Sequence, residues 1–370
     1  MKKTKEIILE KACLIGLVWK NNRKSDVEAS LDELAELTIS AGGEVTDKIV
    51  QSRNPDPKYY IGKGMVERLK EQFEDNGVNL IIFDDPLSPA QQRNLEDTLE
   101  VKVIDRSILI LDIFALHART SAAKLQVELA QLEYMLPRLT RAWSHFSRQY
   151  GGVGIGSKGP GETQLEIDRR QVRKRIARLK DDLKRLGKQR ATQRKGRQKL
   201  FKVSLIGYTN AGKSTLFNRL TKSEVSTANA LFTTLDSTTR VMSAGYPEKI
   251  IFTDTVGFIK KLPHQLVASF KSTLEEVVYA DLLLHVVDFS DQNHDDKIAQ
   301  THKVLGEIGA DQIKNLLIYN KIDRLDGDLV PIAGKDDIFY TSALKNIGLE
   351  NLKERLSEHL QMFSQKQLKF

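Results

Sequence analysis

Apolar positions recur at two spacings along this 370-residue chain. In residues 12–19, 44–50, 80–83 and 101–104 they run on or alternate, as in β-strands. In residues 26–41 they fall at Val27, Leu31, Leu34 and Leu37, one face of a helix. Residues 65–76 and 89–99 also read as helices, and Gly42-Gly43 and Gly77 close two of the three. Residues 108–116 form the longest apolar-rich stretch; with Asp112 inside it, it reads as a core helix ending near His117. Strands interleaved with helices predict a small α/β domain with a largely parallel sheet over residues 1–118. Gly62-Lys63-Gly64 and Asp84-Asp85 fall at strand ends, where ligands of α/β sheets sit. The plainer reading of both is preferred: turn glycines and a solvated acidic pair.

The pattern changes over residues 119–200. Leu125, Leu129, Leu132, Leu136 and Leu139 step by four and three, and so do Val172, Ile176, Leu179, Leu183 and Leu186. Two such seams predict an antiparallel helical hairpin, with Pro137 kinking or ending its first helix early. The connecting loop holds six glycines among residues 151–161. Around it stand Arg138, Arg141, Trp143, His145, Phe146, Arg148, Tyr150 and Lys158, a mixture suited to RNA phosphates and base stacking.

A third pattern occupies residues 201–360. The apolar strand 203–206 runs into Gly207-Tyr208-Thr209-Asn210-Ala211-Gly212-Lys213-Ser214-Thr215, and an apolar helix start follows. This is a P-loop in its strand–loop–helix setting. Its backbone N–H groups and the helix N-terminus would cradle phosphates, Lys213 would neutralise the β- and γ-phosphates, and Ser214 would ligate Mg²⁺. After strand 249–252 comes Asp254-Thr255-Val256-Gly257: the Asp can hold Mg²⁺ through water, and the Gly amide can meet the γ-phosphate. After the run 316–319 comes Asn320-Lys321-Ile322-Asp323, whose carboxylate can accept two hydrogen bonds from guanine; adenine lacks the exocyclic amine for one of them. After strand 338–340 comes Thr341-Ser342-Ala343-Leu344, whose backbone can donate to the guanine oxygen. In this order the motifs point to GTP rather than ATP. A first switch is expected at Phe232-Thr233-Thr234, with Thr234 completing the Mg²⁺ coordination, and a second over residues 258–280. Lys213, Thr234, Asp254 and Gly257 are the catalytic candidates. A final helix spans 349–360, and 361–370 is a short tail. The fold class is α/β: a P-loop domain with a mostly parallel sheet, preceded by a small α/β domain and a long antiparallel helical hairpin.

Composition adds limits. Apolar residues make up 40% and charged residues 29%, as in a soluble globular protein. The single Cys13 excludes a disulfide framework, suggests a reducing compartment and reads as a small buried residue. No secretory signal or bilayer-spanning run is present, so a cytoplasmic monomer is expected. The net charge is +8, yet residues 169–202 hold 16 Lys or Arg against 2 Asp, a surplus of 14. Like charges at helical spacing repel, so an anionic partner is expected there. Arg169, Arg170, Arg173 and Lys174 join Arg138, Arg141, Arg148 and Lys158 as RNA-contact candidates.

The motifs GPGETQLE (residues 159–166), GYTNAGKST (207–215), FTTLDSTTR (232–240), DTVGFI (254–259) and NKID (320–323) together resemble the HflX family of ribosome-associated GTPases, over essentially the whole chain. The resemblance implies binding to the large ribosomal subunit and its RNA, with the hairpin loop reaching toward the peptidyl-transferase region. It also implies GTP-dependent splitting of stalled or idle ribosomes, often under stress, and raises ATP binding by the N-terminal domain, to which no residues are assigned. The alternative is a GTP-regulated RNA-binding factor in ribosome maturation. Directly after the DxxG glycine, where Ras-like GTPases carry a water-positioning Gln, this chain has Phe258. Slow intrinsic hydrolysis that needs help is therefore expected. Asn210 either ligates a monovalent cation such as K⁺, supplying that help, or merely caps the loop; the other source of help is the ribosome, by ordering the switches.

Overall fold

The computed structural model of the chain describes residues 10–20, 22–139, 164–196, 200–222, 231–232, 238–243, 249–261, 271–325 and 337–367. Its contacts divide into two compact units, residues 1–116 with 125–182, and residues 117–124 with 183–370.

The first unit is built on four parallel strands, β1 (Lys11–Val18), β2 (Glu44–Ser52), β3 (Leu80–Phe83) and β4 (Lys102–Asp105), in the order β2-β1-β3-β4. β1 after Lys11, and all of β3, carry no polar side chain and are almost wholly buried, as central strands covered on both faces must be. The helices α1 (Lys24–Ser40), α2 (Lys63–Asn76), α3 (Pro89–Leu99) and α4 (Arg106–His117) alternate with them. Ser88 caps α3 by accepting from the Gln91 amide, and Gln91 reaches back to the Ser88 amide, a complete capping box. Cys13 is buried, and burial pushes its thiol up to about 12, so it is inert.

Asp84-Asp85 is not the solvated pair expected. Asp84 is buried and accepts two bonds from Arg106, at 2.9 and 2.6 Å, and one from Ser30 Oγ at 2.8 Å. Arg106 is 2% exposed and also binds Glu33 (2.7 Å) and the Ser30 carbonyl (2.6 Å). Asp85 accepts from Tyr60 Oη at 2.6 Å. The strand end is spent on structure, because a buried carboxylate needs a paired, fully bonded cation. Gly62 is the N-cap of α2, as a turn glycine should be.

The hairpin helices are α5 (Ser121–Met135) and α6 (Gln164–Lys195). α5 does end early, passing into a 3₁₀ turn, Leu136–Arg138, at Pro137. Leu139 accepts from Arg169 near the start of α6 (2.6 Å), while Glu128, further back in α5, holds Arg175, further along α6, at 2.7 and 2.8 Å. The two therefore run antiparallel. On α6 the seam is as read, with Ile176 and Leu179 buried. The first seam is covered to the same degree, with Leu129 and Leu139 buried and Leu125, Leu132 and Leu136 half-buried, but α5 also buries a stripe beside it: Ala123, Gln126, Val127, Ala130 and Tyr134. Two alanines and a glutamine hide that face from a pattern built on Leu. Tyr134 explains it, since its hydroxyl bonds the buried Asp105 at the end of β4.

The second unit carries a six-stranded sheet of β5 (Phe201–Ile206), β6 (Thr238–Ser243), β7 (Lys249–Asp254), β8 (Leu282–Asp288), β9 (Asn315–Asn320) and β10 (Ile338–Tyr340). The order is β10-β9-β8-β5-β7-β6, parallel except for the edge strand β6. Its helices are α7 (Lys213–Thr221), α8 (Lys271–Val278), α9 (His294–Ile308) and α10 (Leu349–Gln367). α10 runs past residue 360, and Phe363 packs on Phe201 with ring centroids 5.2 Å apart, so most of the expected tail is helix. No helix among the described residues is long and apolar enough to cross a membrane.

The Arg106 cluster sets the stability of the first unit. Replacing Asp84 by Ala leaves a buried guanidinium without its main partner and should cost about 3–5 kcal/mol. Urea unfolding followed by Trp19 fluorescence in a Trp143→Phe background checks this; a midpoint equal to that of the parent would refute it.

Candidate active site

The loop after β5 owes its path to two glycines and a lysine. Gly207 has φ +138°, and a Cβ there would meet the Val286 carbonyl of β8 at 2.1 Å. Only glycine lets the chain leave β5 against its neighbour. Gly212 (φ +92°) and Asn210 (φ +60°) turn the loop into α7, Asn being one of the few side chains tolerated there. Lys213 folds back over the loop, and its Nζ donates to the Tyr208 carbonyl at 2.7 Å. It is 6% exposed, and burial pulls its ammonium down to about 8, against the nearby Asp254. His285 lies behind it on β8; burial first, then His302, pulls the imidazole down to about 3, so it stays neutral. Lys213 is thus the cation of the loop.

β7 pairs with β5 and delivers Asp254 to the other side. Asp254 is fully buried and accepts from Ser214 Oγ at 2.7 Å. Thr255 is buried, donating to the Leu205 carbonyl (2.6 Å). Val256 is buried, and Gly257 lies against the loop: a Cβ there would meet Thr209 Cα and Cγ2 at 2.7 Å and Lys213 Nζ at 2.9 Å. The next residue, Phe258, is 2% exposed, and its backbone is zipped to the P-loop. Its amide donates to the Gly207 carbonyl (3.1 Å), and its carbonyl accepts from Thr209 (2.9 Å). Tyr208 Oη accepts from the Lys260 amide at 2.6 Å and extends the zipper. No sequence signal gives this last contact.

The base-recognition motifs meet at the ends of β9 and β10. Asn320 Nδ2 donates to the Ala211 carbonyl (3.0 Å), and its Oδ1 accepts from the Ala343 amide (2.9 Å). Asn320 thereby bolts the P-loop to the Thr341–Leu344 loop. Asp323 accepts from Ser342 Oγ. Lys321 (φ +65°) pairs with Asp288 at 2.7 Å. Arg219 of α7 donates to the carbonyls of Ala343 (3.0 Å) and Leu344 (2.9 Å), a tie the sequence did not single out. The amides of Thr341, Ser342 and Ala343 are taken by Tyr319, Ile347 and Asn320. The Ala343 amide is thus occupied by Asn320 in this structure, whereas the Leu344 amide forms no hydrogen bond among the described residues. Thr215 is half-buried in the first turn of α7, and Phe232 is buried with φ +58°. Thr233 and Thr234 lie outside the described residues.

The RNA candidates divide. Arg138 is turned inward: it stacks on Tyr134 (3.5 Å to the ring centroid) and donates to the Leu87 carbonyl (2.7 Å) and Gln92 (3.2 Å). It belongs to the packing of the first unit, not to an outward basic face. Arg169 is half-buried and holds Leu139. Arg170, Arg173 and Lys174 are exposed. Arg141, Arg148, Lys158 and the glycine-rich loop lie outside the described residues.

Two outcomes follow. Gly257→Ala must displace the Thr209 backbone and methyl and the Lys213 amine, and should weaken GTP-analogue binding at least tenfold while GDP binding changes less, read by fluorescent-nucleotide titration. Anion binding favours charged Lys213, which in the free protein is charged below about pH 8 and neutral above it. GDP affinity should hold steady to about pH 7, halve by about pH 8 and fall by about tenfold by pH 9; a flat profile counts against a depressed lysine.

Comparison with known proteins agrees with this geometry. Family models described as "GTP-binding GTPase N-terminal", "GTP-binding GTPase Middle Region" and "50S ribosome-binding GTPase" match residues 28–115, 117–197 and 202–321. GTPase HflX of Flavobacterium psychrophilum is 49% identical over 319 residues, 86% of this chain and 76% of that one. GTPase HflX of Escherichia coli K12 is 46% identical over 359 residues, 95% and 83% of the two chains. The solved GDP complex of SsGBP superposes with a TM-score of 0.52 at 26% identity, covering 96% of this chain and all of that one. With the P-loop, the DxxG segment and the NKID motif converging on one sheet edge, the chain belongs to the HflX family of GTPases.

Proposed function

We propose that this GTPase binds the large ribosomal subunit through α6 and the loop before it, and in its GTP form separates ribosomal subunits. The observation that carries this is the sorting of charge on α6. Its buried positions, Ile176 and Leu179, share an arc with half-buried Val172, Leu183 and Leu186. Arg170, Arg173, Lys174, Arg178, Lys184 and Lys188 are exposed and, at 100° per residue, fall on the opposite arc. Arg173, Lys174, Arg178, Lys184 and Lys188 form no ion pair among the described residues. The exposed arc carries the six cations, with Glu166 near its start and Asp181 midway, and a predominantly basic stripe along a 32-residue helix suits a phosphate backbone.

Asp323 reads the guanine edge, held by Ser342, and the Leu344 amide donates to the guanine oxygen. Ser214 Oγ and buried Asp254 present hard oxygens to one point, a set that fits Mg²⁺. Ser214, Thr234 and, through water, Asp254 would hold the ion, which neutralises phosphate charge when bound. Asn210 makes no side-chain hydrogen bond among the described residues. That favours its reading as a K⁺ ligand over a cap.

Sedimentation of ribosomes with the purified protein tests the main reading. With a non-hydrolysable GTP analogue the protein should travel with large subunits and the intact-ribosome peak should shrink; with GDP neither should occur. Binding to large subunits without loss of intact ribosomes would favour a maturation factor. Reversing the charge at Arg173, Lys174 and Arg178 should weaken ribosome binding at least tenfold and flatten its salt dependence, with GTP binding unchanged.

A further inference from the structure

We infer that the side-chain hydroxyl of Thr209 is a catalytic group of GTP hydrolysis, occupying the role that Phe258 leaves open. The inference rests on the GTPase assignment and on Lys213 marking the terminal phosphate.

Thr209 is 6% exposed, and its Oγ1 forms no hydrogen bond among the described residues. Burying a hydroxyl without a partner costs about 1–3 kcal/mol. Valine has nearly the same shape and would fill the position at no such cost, so packing alone does not account for threonine. The place of the side chain is fixed. The Thr209 amide donates to the Phe258 carbonyl (2.9 Å), which sets the local backbone. The Cβ position of Gly257 lies 2.7 Å from Thr209 Cγ2 and 2.9 Å from Lys213 Nζ. One small region is thus walled by the Thr209 methyl, the DxxG glycine and the phosphate-neutralising amine, and a turn of about 120° about the Thr209 Cα–Cβ bond brings the hydroxyl to where the methyl stands.

Phe258 is excluded from the chemistry by the same zipper, being 2% exposed with its backbone spent on Gly207 and Thr209. In hydrolysis the water oxygen bonds to the terminal phosphorus as the bond from phosphorus to the bridging oxygen breaks. The electron pair leaves with GDP, and the water's proton passes to the released phosphate. A hydroxyl on this wall accepts a hydrogen bond from the attacking water and donates its own to a terminal phosphate oxygen. It thus orients the water without acting as a strong base.

Single-turnover GTP hydrolysis and GDP affinity of Thr209→Val and Thr209→Ser in the full chain test this. Thr209→Val should lower the hydrolysis rate about tenfold with GDP affinity within about twofold of the parent, and its melting temperature should not drop. Thr209→Ser should keep the rate within about threefold. A Thr209→Val rate equal to the parent's, or equal losses in Val and Ser variants, overturns the inference. Should the Val variant fail to fold, Thr209→Ser against Thr209→Ala decides: equal rates overturn it, a fast Ser and a slow Ala support it. Each comparison is made in K⁺ and Na⁺, with and without large subunits. A parent rate unmoved by any of these defeats the proposed activators, while the Val-to-Ser ratio still decides on Thr209.

Discussion

β5 is hydrogen-bonded in parallel to β7 along one edge and to β8 along the other, and that pairing fixes where all the chemistry can lie. Parallel strands end together, so Ile206, Asp254, Asp288, Asn320 and Tyr340 finish along one rim of the sheet. The rim is where a polar ligand can be met without breaking the apolar core beneath, formed by Val203, Leu205, Phe252, Leu284 and Leu316. Gly207 has to be glycine because β8 leaves no room for a Cβ, and the loop is thereby forced over the rim. A nucleotide site in this fold follows from strand pairing before any single functional side chain is considered.

The rim was legible in the sequence because each motif follows an apolar run, and period and punctuation agree at every one. The parallel order of the first unit was legible for the same reason. What escaped was decided by partners distant along the chain. Asp84 reads as solvated until Arg106 is seen beside it, 22 residues on. The inner stripe of α5 is hidden because Ala123, Ala130 and Gln126 carry little hydrophobic signal, and only Tyr134 reaching Asp105 makes that face matter. Arg138 looked like its basic neighbours; the aromatic ring one turn before it turned it inward. The clamp of Arg219 on Ala343 and Leu344 joins residues more than 120 positions apart, which no local pattern encodes.

Charge is handled in opposite ways in the two settings. Where Arg106 is buried, each guanidinium nitrogen is answered by Asp84, Glu33 or Ser30, so the cluster serves the fold. Along α6 the cations face water, so their mutual repulsion is screened, and the helix is held by its apolar arc and by Arg175 on Glu128. Exposed like charge adds little to stability. It contributes chiefly to association, by raising the rate of encounter with an anionic surface and releasing counterions once bound.

The P-loop lies between these extremes. Lys213 is buried like Arg106 but incompletely answered, with a carbonyl as its hydrogen-bond acceptor and Asp254 as its nearby charge, and burial lowers its proton affinity accordingly. Thr209 is buried and unanswered. Buried polar groups in a settled core are nearly all satisfied. An ammonium with no paired counter-charge in hydrogen-bond contact and a hydroxyl with no described partner, flanking a glycine with no room for a side chain, mark a surface complementary to something charged and oxygen-rich. The terminal phosphate of GTP supplies what both groups lack, an anion for the ammonium and an acceptor for the hydroxyl. The cost the free protein bears at these two residues is thereby relieved when nucleotide binds, and that difference between free and bound states is what a nucleotide switch requires.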